Sequence, residues 1–129
     1  MTDWKAFFEG ILTEREIKVD EPMSRHTTYG IGGPADVFVM PQTEEQLMQI
    51  LQKAHKENIP VTVVGGGSNC LVSDKGIRGI TICMNRMKQE MTCEDTWITA
   101  TGGTGTGTVS RFAEKNGLKG FGWAVGIPG

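Results

Sequence analysis

The sequence predicts an α+β protein in which a small α/β unit is followed by the start of an antiparallel unit. Two β-prone runs flank an amphipathic helical pattern between residues 36 and 64, which is typical of a strand–helix–strand unit. Beyond residue 67 the pattern changes to short alternating runs. The 18 glycines are about twice the average usage and are unevenly spread, and two of their clusters follow predicted strands.

The first unit begins with two predicted elements and a loop. Residues 3–17 carry apolar side chains spaced by three and four, which predicts one amphipathic helix. Residues 20–35 are rich in Pro, Gly, Ser and Thr and predict a structured loop. The run 36–40 (DVFVM), closed by Pro41, predicts a short buried strand.

The next segment predicts a capped helix and a second strand. Thr43 and Gln46 form a capping-box pattern, and the helix is expected to run to about Asn58. Pro60 ends it, and residues 61–64 predict another buried strand. A crossover of this length between two strands indicates that they run parallel.

The second unit is predicted to be antiparallel. Its alternating apolar positions are Ile80, Ile82, Met84, Met91, Cys93, Trp97, Ile98 and Ala100. A tight turn is expected at 94–95, and residues 108–116 predict a helix capped by Gly117. These patterns divide the chain into units of 1–77 and 78–129, the second incomplete.

Composition excludes several classes of protein. Hydrophobic residues make up 38% and charged residues 22%, as in globular domains, and the net charge of −2 argues against a nucleic-acid binder. No secretory leader or transmembrane run is predicted, so we expect no membrane association. Three cysteines at unrelated spacings predict reduced thiols in the cytoplasm and no metal site.

A glycine run, Gly65-Gly66-Gly67-Ser68-Asn69, directly follows the predicted strand 61–64. Consecutive glycines allow backbone N–H groups to converge on an anion such as a pyrophosphate, with Ser68 and Asn69 adding donors. A tight strand exit that needs positive φ would explain the same glycines. The pattern is neither a Rossmann fingerprint nor a P-loop, because no third spaced glycine and no Gly-Lys-Ser/Thr follows.

Three other glycine segments are weaker signals. Residues 30–35 match G-x-G-x-x-A, but no strand precedes them and no helix follows, so they predict a loop over a ligand at most. In the preceding residues, His26 is equally consistent with a structural role or a ligand contact. Residues 102–107 favour a bare strand-to-helix turn over an anion site. Residues 126–129 (GIPG) end the sequence in an unfinished loop, which suggests a cut chain.

Together these segments resemble the UDP-N-acetylenolpyruvoylglucosamine reductase (MurB) family. The matching segments are in the family's order, namely 24–35, 63–72, 113–120 and 126–129. The resemblance implies a truncated FAD-binding fold of the vanillyl-alcohol-oxidase (PCMH) type, with FAD as cofactor and NADPH as reductant. It implies cofactor contacts from Thr27, Tyr29, Gly30, Gly65, Gly66, Gly67, Ser68, Asn69, Gly126, Ile127 and Gly129.

The family reaction reduces UDP-N-acetylglucosamine enolpyruvate to UDP-N-acetylmuramate for peptidoglycan synthesis. The resemblance therefore implies a UDP-sugar substrate for the whole enzyme. The family's proton-donating serine, catalytic glutamate and enolate-stabilising arginine lie in later motifs that no position here matches. We therefore expect no catalytic residue in this chain, no activity of the chain alone, and self-association through an exposed sheet edge.

Two alternatives stay open at this point. Another oxidoreductase of the vanillyl-alcohol-oxidase group could attach flavin covalently through Cys70, which stands next to the glycine run. Flavin colour in an acid-precipitated pellet would support that alternative. A free-standing nucleotide-binding module would instead be a well-packed monomer at this length.

Overall fold

The computed structural model describes residues 2–126. Within that range the helices are α1 (Trp4–Phe7), α2 (Glu44–Lys56) and α3 (Thr106–Lys115). The strands are β1 (Ile17–Pro22), β2 (Pro34–Val39), β3 (Val61–Val64), β4 (Ile77–Cys83), β5 (Met91–Glu94) and β6 (Trp97–Ala100). The α+β class predicted from the sequence is confirmed.

Four strands form one mixed sheet in the order β1-β2-β4-β3. β1 is antiparallel to β2, whereas β4 lies between β2 and β3 and is parallel to both. The predicted parallel direction of β2 and β3 is therefore confirmed, although the two do not touch. β3 lies at the edge, so Val63 is 58% exposed and the prediction of a buried strand there was wrong.

The capped helix is confirmed as α2, which follows a complete capping box. The Thr43 hydroxyl accepts a hydrogen bond from the Gln46 amide at 3.1 Å, and the Gln46 side chain accepts one from the Thr43 amide at 3.2 Å. Ile50 and Ala54 are buried against the sheet. The helix ends four residues before Pro60, where the chain turns into β3.

The helix predicted over residues 3–17 was wrong in length. α1 is a single turn, because the chain takes up a positive φ of 80° at Gly10, which interrupts helical geometry. The apolar positions are nonetheless buried, with Trp4, Phe8 and Leu12 in one core cluster. The loop predicted over 20–35 was also partly wrong, because β1 covers its first residues.

The placement of residues 78–83 in an antiparallel unit was wrong. β4 is a central strand of the mixed sheet, and Ile80 and Ile82 are fully buried beneath α2 together with Val37 and Val39. The division into units of 1–77 and 78–129 stays a prediction, and the four-stranded sheet runs through that boundary.

Apolar clusters cover both faces of the mixed sheet. The α1 and α2 side holds the larger cluster, which includes Phe8 and Ile50. The opposite side holds Met23, Phe38 and Cys83, covered by the loops around residues 23–33 and 65–76. In the described residues, no helix has the length and apolar character needed to cross a membrane.

The hairpin and the last helix agree with the sequence prediction. β5 and β6 pair antiparallel around Asp95, which adopts a φ of 54°, and α3 ends before Gly117, whose φ is 72°. The β6 residue Trp97 is 78% exposed. The predicted self-association through a sheet edge stays a prediction. Among the described strands, β1 and β3 are the edges of the mixed sheet, and β5 and β6 form a separate two-stranded sheet.

Candidate functional site

The candidate site begins where β3 and β4 end side by side. The two strands are parallel, and Val64 pairs with Cys83. Gly65 and Met84 therefore leave the sheet side by side, at the carboxyl ends of the two strands. The Cys83 thiol donates a weak hydrogen bond to the Gly65 carbonyl oxygen at 3.9 Å. The carboxyl ends of parallel strands are the usual position of a binding crevice in α/β sheets.

A third segment, residues 102–107, packs against this edge. A Cβ on Gly103 would overlap the carbonyl oxygen of Met84, so only glycine permits this approach. The segment leads into α3, whose N-terminus faces the same space as the loop after β3. Sequence reasoning favoured a bare turn here. The structure instead makes the segment one wall of a cleft, a relation that depends on the distant contact with Met84.

The cleft has a larger lobe of about 630 Å³ and a smaller recess of about 270 Å³. The larger lobe is lined by Gly65, Gly66, Ser68, Asn85, Gln89, Gly102, Gly103, Thr104, Gly105, Thr106 and Gly107. The recess is lined by Arg25, His26, Thr27, Thr28, Gly65, Gly66, Cys83 and Asn85. Because three residues line both, the two spaces adjoin at Gly65, Gly66 and Asn85.

The glycines of the cleft have different physical reasons to be glycine. Gly65 and Gly102 lie outside the positive-φ region, and a Cβ on either would have no protein atom within 4 Å. Nothing in the folded chain therefore requires glycine at these two positions. A bound group that approached the backbone closely would require it, because a methyl would hold that group away from backbone N–H donors.

Gly67 is required by the fold instead. Its φ is 74°, and a Cβ would overlap the carbonyl oxygen of His26. The Gly67 carbonyl accepts a hydrogen bond from the Thr28 amide at 3.1 Å. Gly67 thereby joins the loop after β3 to the loop of residues 24–33. The interpretation of the run as a turn that needs positive φ is confirmed at Gly67. The interpretation as an anion site stays a prediction, and Gly65 and Gly66 line a cleft.

The loop of residues 24–33 is held by hydrogen bonds within itself and to the segment that follows β3. The Thr27 hydroxyl donates to the Ile31 carbonyl at 3.0 Å, and the Gly33 amide donates to the Ser73 carbonyl at 2.9 Å. Thr27 lines the recess. Tyr29 is exposed, and Gly30 takes a positive φ of 68° in the turn. Neither of these two residues lines the cleft in the described part of the chain.

His26 has a structural role in the recess wall. Its ring stacks on buried Phe38 with 4.0 Å between ring centroids, and Nε2 is hydrogen-bonded to Oε1 of Glu21 at 3.1 Å. Arg25 also approaches the Glu21 carboxylate, at 3.9 Å. The arrangement fixes the backbone of residues 25–28 against Gly67, and the arginine remains at the rim of the recess.

The larger lobe suits an anion that is held by neutral donors. Of the described residues that line it, none carries a formal charge. Backbone N–H groups of the glycine segments and the first turn of α3 supply the positive ends of dipoles. The Thr104 hydroxyl is buried in the lobe wall without a hydrogen-bond partner among the described atoms. These donors fit a pyrophosphate, whose oxygens accept several hydrogen bonds at once.

The residues predicted from the sequence are distributed unevenly. Gly65, Gly66 and Ser68 line the larger lobe and Thr27 the recess, while Asn69 adjoins the loop without lining either space. Gly126 ends a 3₁₀ turn that begins at Gly122, and Ile127 and Gly129 lie outside the described residues. Sequence reasoning missed Asn85, Gln89 and the role of 102–107. The one sequence signal for Asn85 was its position just beyond a predicted strand, since β4 ends at Cys83.

Comparison with known proteins shows the family of the chain. Residues 35–129 match the family described as FAD binding domain, and the chain belongs to that family. The resemblance to UDP-N-acetylenolpyruvoylglucosamine reductases is also confirmed. The enzyme of that name from Clostridioides difficile is 44% identical over 92% of this chain, and that from Desulforamulus reducens is 46% identical over 92%. The chain spans 39% of the length of each.

Solved structures give the same fold. The reductase (MurB) from Thermus caldophilus superposes with a TM-score of 0.63 at 30% identity, over 88% of this chain and 38% of that one. A structure of alkyldihydroxyacetonephosphate synthase has a TM-score of 0.68 at 22% identity, over 91% of this chain and 26% of that one. The second match shows the fold alone. The predicted FAD-binding fold of the vanillyl-alcohol-oxidase (PCMH) type is confirmed.

Proposed function

We propose that the chain binds FAD through the cleft between the segments 65–68, 84–89 and 102–107. The observation that carries the proposal is the pair Gly65 and Gly102, which line the cleft although neither the backbone conformation nor the packing of the chain requires glycine there. The match to the FAD binding domain family supports FAD as the ligand.

The described residues would bind and orient the cofactor. Backbone donors of Gly65 and Gly66 and the first turn of α3 would hold the pyrophosphate, with the Thr104 hydroxyl as an added donor. The recess, walled by the 25–28 loop, would exclude water from one side of the ligand. FAD, when bound, supplies the hydride-transfer chemistry of a flavoenzyme.

For the whole protein we propose the reaction of the reductases it resembles, the NADPH-dependent reduction of UDP-N-acetylglucosamine enolpyruvate in peptidoglycan synthesis. The support is the 43–47% identity to relatives that carry the reductase name. We propose a cytoplasmic location, where NADPH and UDP-sugars are available. We further propose that the chain alone is inactive, because the resemblance implies that the family's catalytic residues lie in later motifs.

The proposal is tested by adding FAD to the purified chain, desalting it, and recording the absorbance spectrum. We expect retained flavin bands, which trichloroacetic acid releases into the supernatant. A colourless protein would contradict FAD binding by this chain, and colour in the acid pellet would instead favour covalent attachment. The elution volume of the same desalted sample, run on a calibrated size column, reports the proposed self-association.

A further inference from the structure

We propose that Asn85 is a ligand-binding residue that holds the cofactor's pyrophosphate where the two spaces of the cleft adjoin. This inference rests on the proposed FAD binding and assigns a role to a side chain that the glycine motifs do not include. Three residues line both the larger lobe and the recess, and Asn85 is the one of them with a polar side chain.

The backbone around Asn85 is fixed from two sides. Cys83, the last residue of β4, pairs with Val64, and the chain then enters the 3₁₀ turn Met84–Arg86. On the other side, Gly103 packs directly on the Met84 carbonyl. A Cβ added at Gly103 would lie 3.3 Å from the backbone nitrogen of Asn85. Asn85 is therefore placed between the glycine loop after β3 and the segment before α3.

The side chain of Asn85 is available for a ligand. The residue is exposed to the cleft, and its carboxamide makes no hydrogen bond with the rest of the described chain. A carboxamide offers two N–H donors and one acceptor and carries no charge. Its donors suit a pyrophosphate oxygen in a lobe that otherwise supplies backbone donors, and an elongated ligand that occupies both spaces must pass over it.

Replacing the amide by the isosteric carboxylate gives a direct test. Asn85→Asp removes both donors and places a negative charge beside the pyrophosphate, so we expect FAD to bind about 100-fold more weakly. Asn85→Ala removes the donors without adding charge, so we expect a loss of about tenfold. Dissociation constants are measured by quenching of flavin fluorescence, and thermal unfolding is measured without FAD.

Gln52→Glu provides the matched control. It makes the same amide-to-acid change on the exposed surface of α2, away from the cleft, and is expected to bind FAD like the unsubstituted chain. We expect all variants to unfold at the same temperature without FAD, since the Asn85 carboxamide supports no contact of the fold.

The outcomes separate this inference from the proposed function. Weakening in the order Asp, then Ala, at an unchanged unfolding temperature supports the role of Asn85. FAD binding by Asn85→Asp within threefold of the unsubstituted chain overturns it and leaves FAD binding intact. An equal loss in the two Asn85 variants, with a lowered unfolding temperature, overturns it in favour of a structural role. No binding by the unsubstituted chain overturns the proposed function and this inference together.

Discussion

Gly65→Ala is expected to weaken FAD binding about 30-fold while leaving the free energy of unfolding within about 0.5 kcal/mol of its original value. The new methyl would meet no protein atom, so the fold is unaffected. In the cleft, the methyl would hold a pyrophosphate away from the N–H donors of residues 65–66. Flavin fluorescence titration gives the affinity, and urea unfolding gives the stability.

Gly122→Ala is the control for this substitution. Gly122 also lies outside the positive-φ region with no protein atom near its Cβ position, but it does not line the cleft in the described structure. It should therefore change neither the affinity for FAD nor the stability. Equal affinity of the Gly65→Ala variant and the unsubstituted chain would show that the ligand does not approach the backbone at residue 65.

Gly67→Ala is expected to destabilise the chain by about 2–4 kcal/mol, a large share of the stability of a small domain. The alanine would have to adopt a φ near 74°, and its Cβ would overlap the His26 carbonyl oxygen. The loop of residues 24–33 would have to separate from the loop after β3. The midpoint of urea unfolding measures this effect.

The neighbouring Gly65→Ala variant is the reference for Gly67→Ala. The two substitutions are chemically identical and lie two residues apart. The difference between their effects on stability therefore isolates the constraint that φ and the His26 carbonyl place on residue 67. If the two variants unfold at the same urea concentration, the positive φ of Gly67 and the closeness of the His26 carbonyl do not constrain residue 67 to glycine.

Elements with local signals were predictable from the sequence. α2 carries a capping box at Thr43 and Gln46 and an apolar stripe, and both act within a few residues. The hairpin of β5 and β6 depends on one turn, and α3 on its periodicity and on Gly117. In each case the stabilising contacts are close in sequence, and therefore a local pattern was sufficient.

Elements that depend on distant contacts were not predictable in the same way. The alternation of Ile80 and Ile82 fits a strand, but the identity and direction of its neighbours are set by pairing with β2 and β3. The apolar spacing over residues 3–17 predicted one helix, because a helix would place Trp4, Phe8 and Leu12 on one face. A bent segment with a positive φ at Gly10 achieves the same burial.

The candidate site shows the same division. The run of residues 65–69 could be predicted because it follows a strand and is rich in glycine. The wall of residues 102–107 depends on the contact between Gly103 and Met84, and the position of Asn85 depends on the pairing of β3 with β4. Both relations exist only in the folded chain, so the sequence favoured a bare turn and, apart from the place of Asn85 just beyond a strand, did not indicate that residue.

The central claim, that three separate segments form one FAD site, is tested most directly by amide hydrogen exchange with and without FAD. The segments are 65–68, 84–89 and 102–107. We predict slower exchange in all three on addition of FAD, and unchanged exchange in the exposed half of α2 around Gln52. Protection limited to 65–68, or protection at α2 with none at 102–107, would contradict the claim.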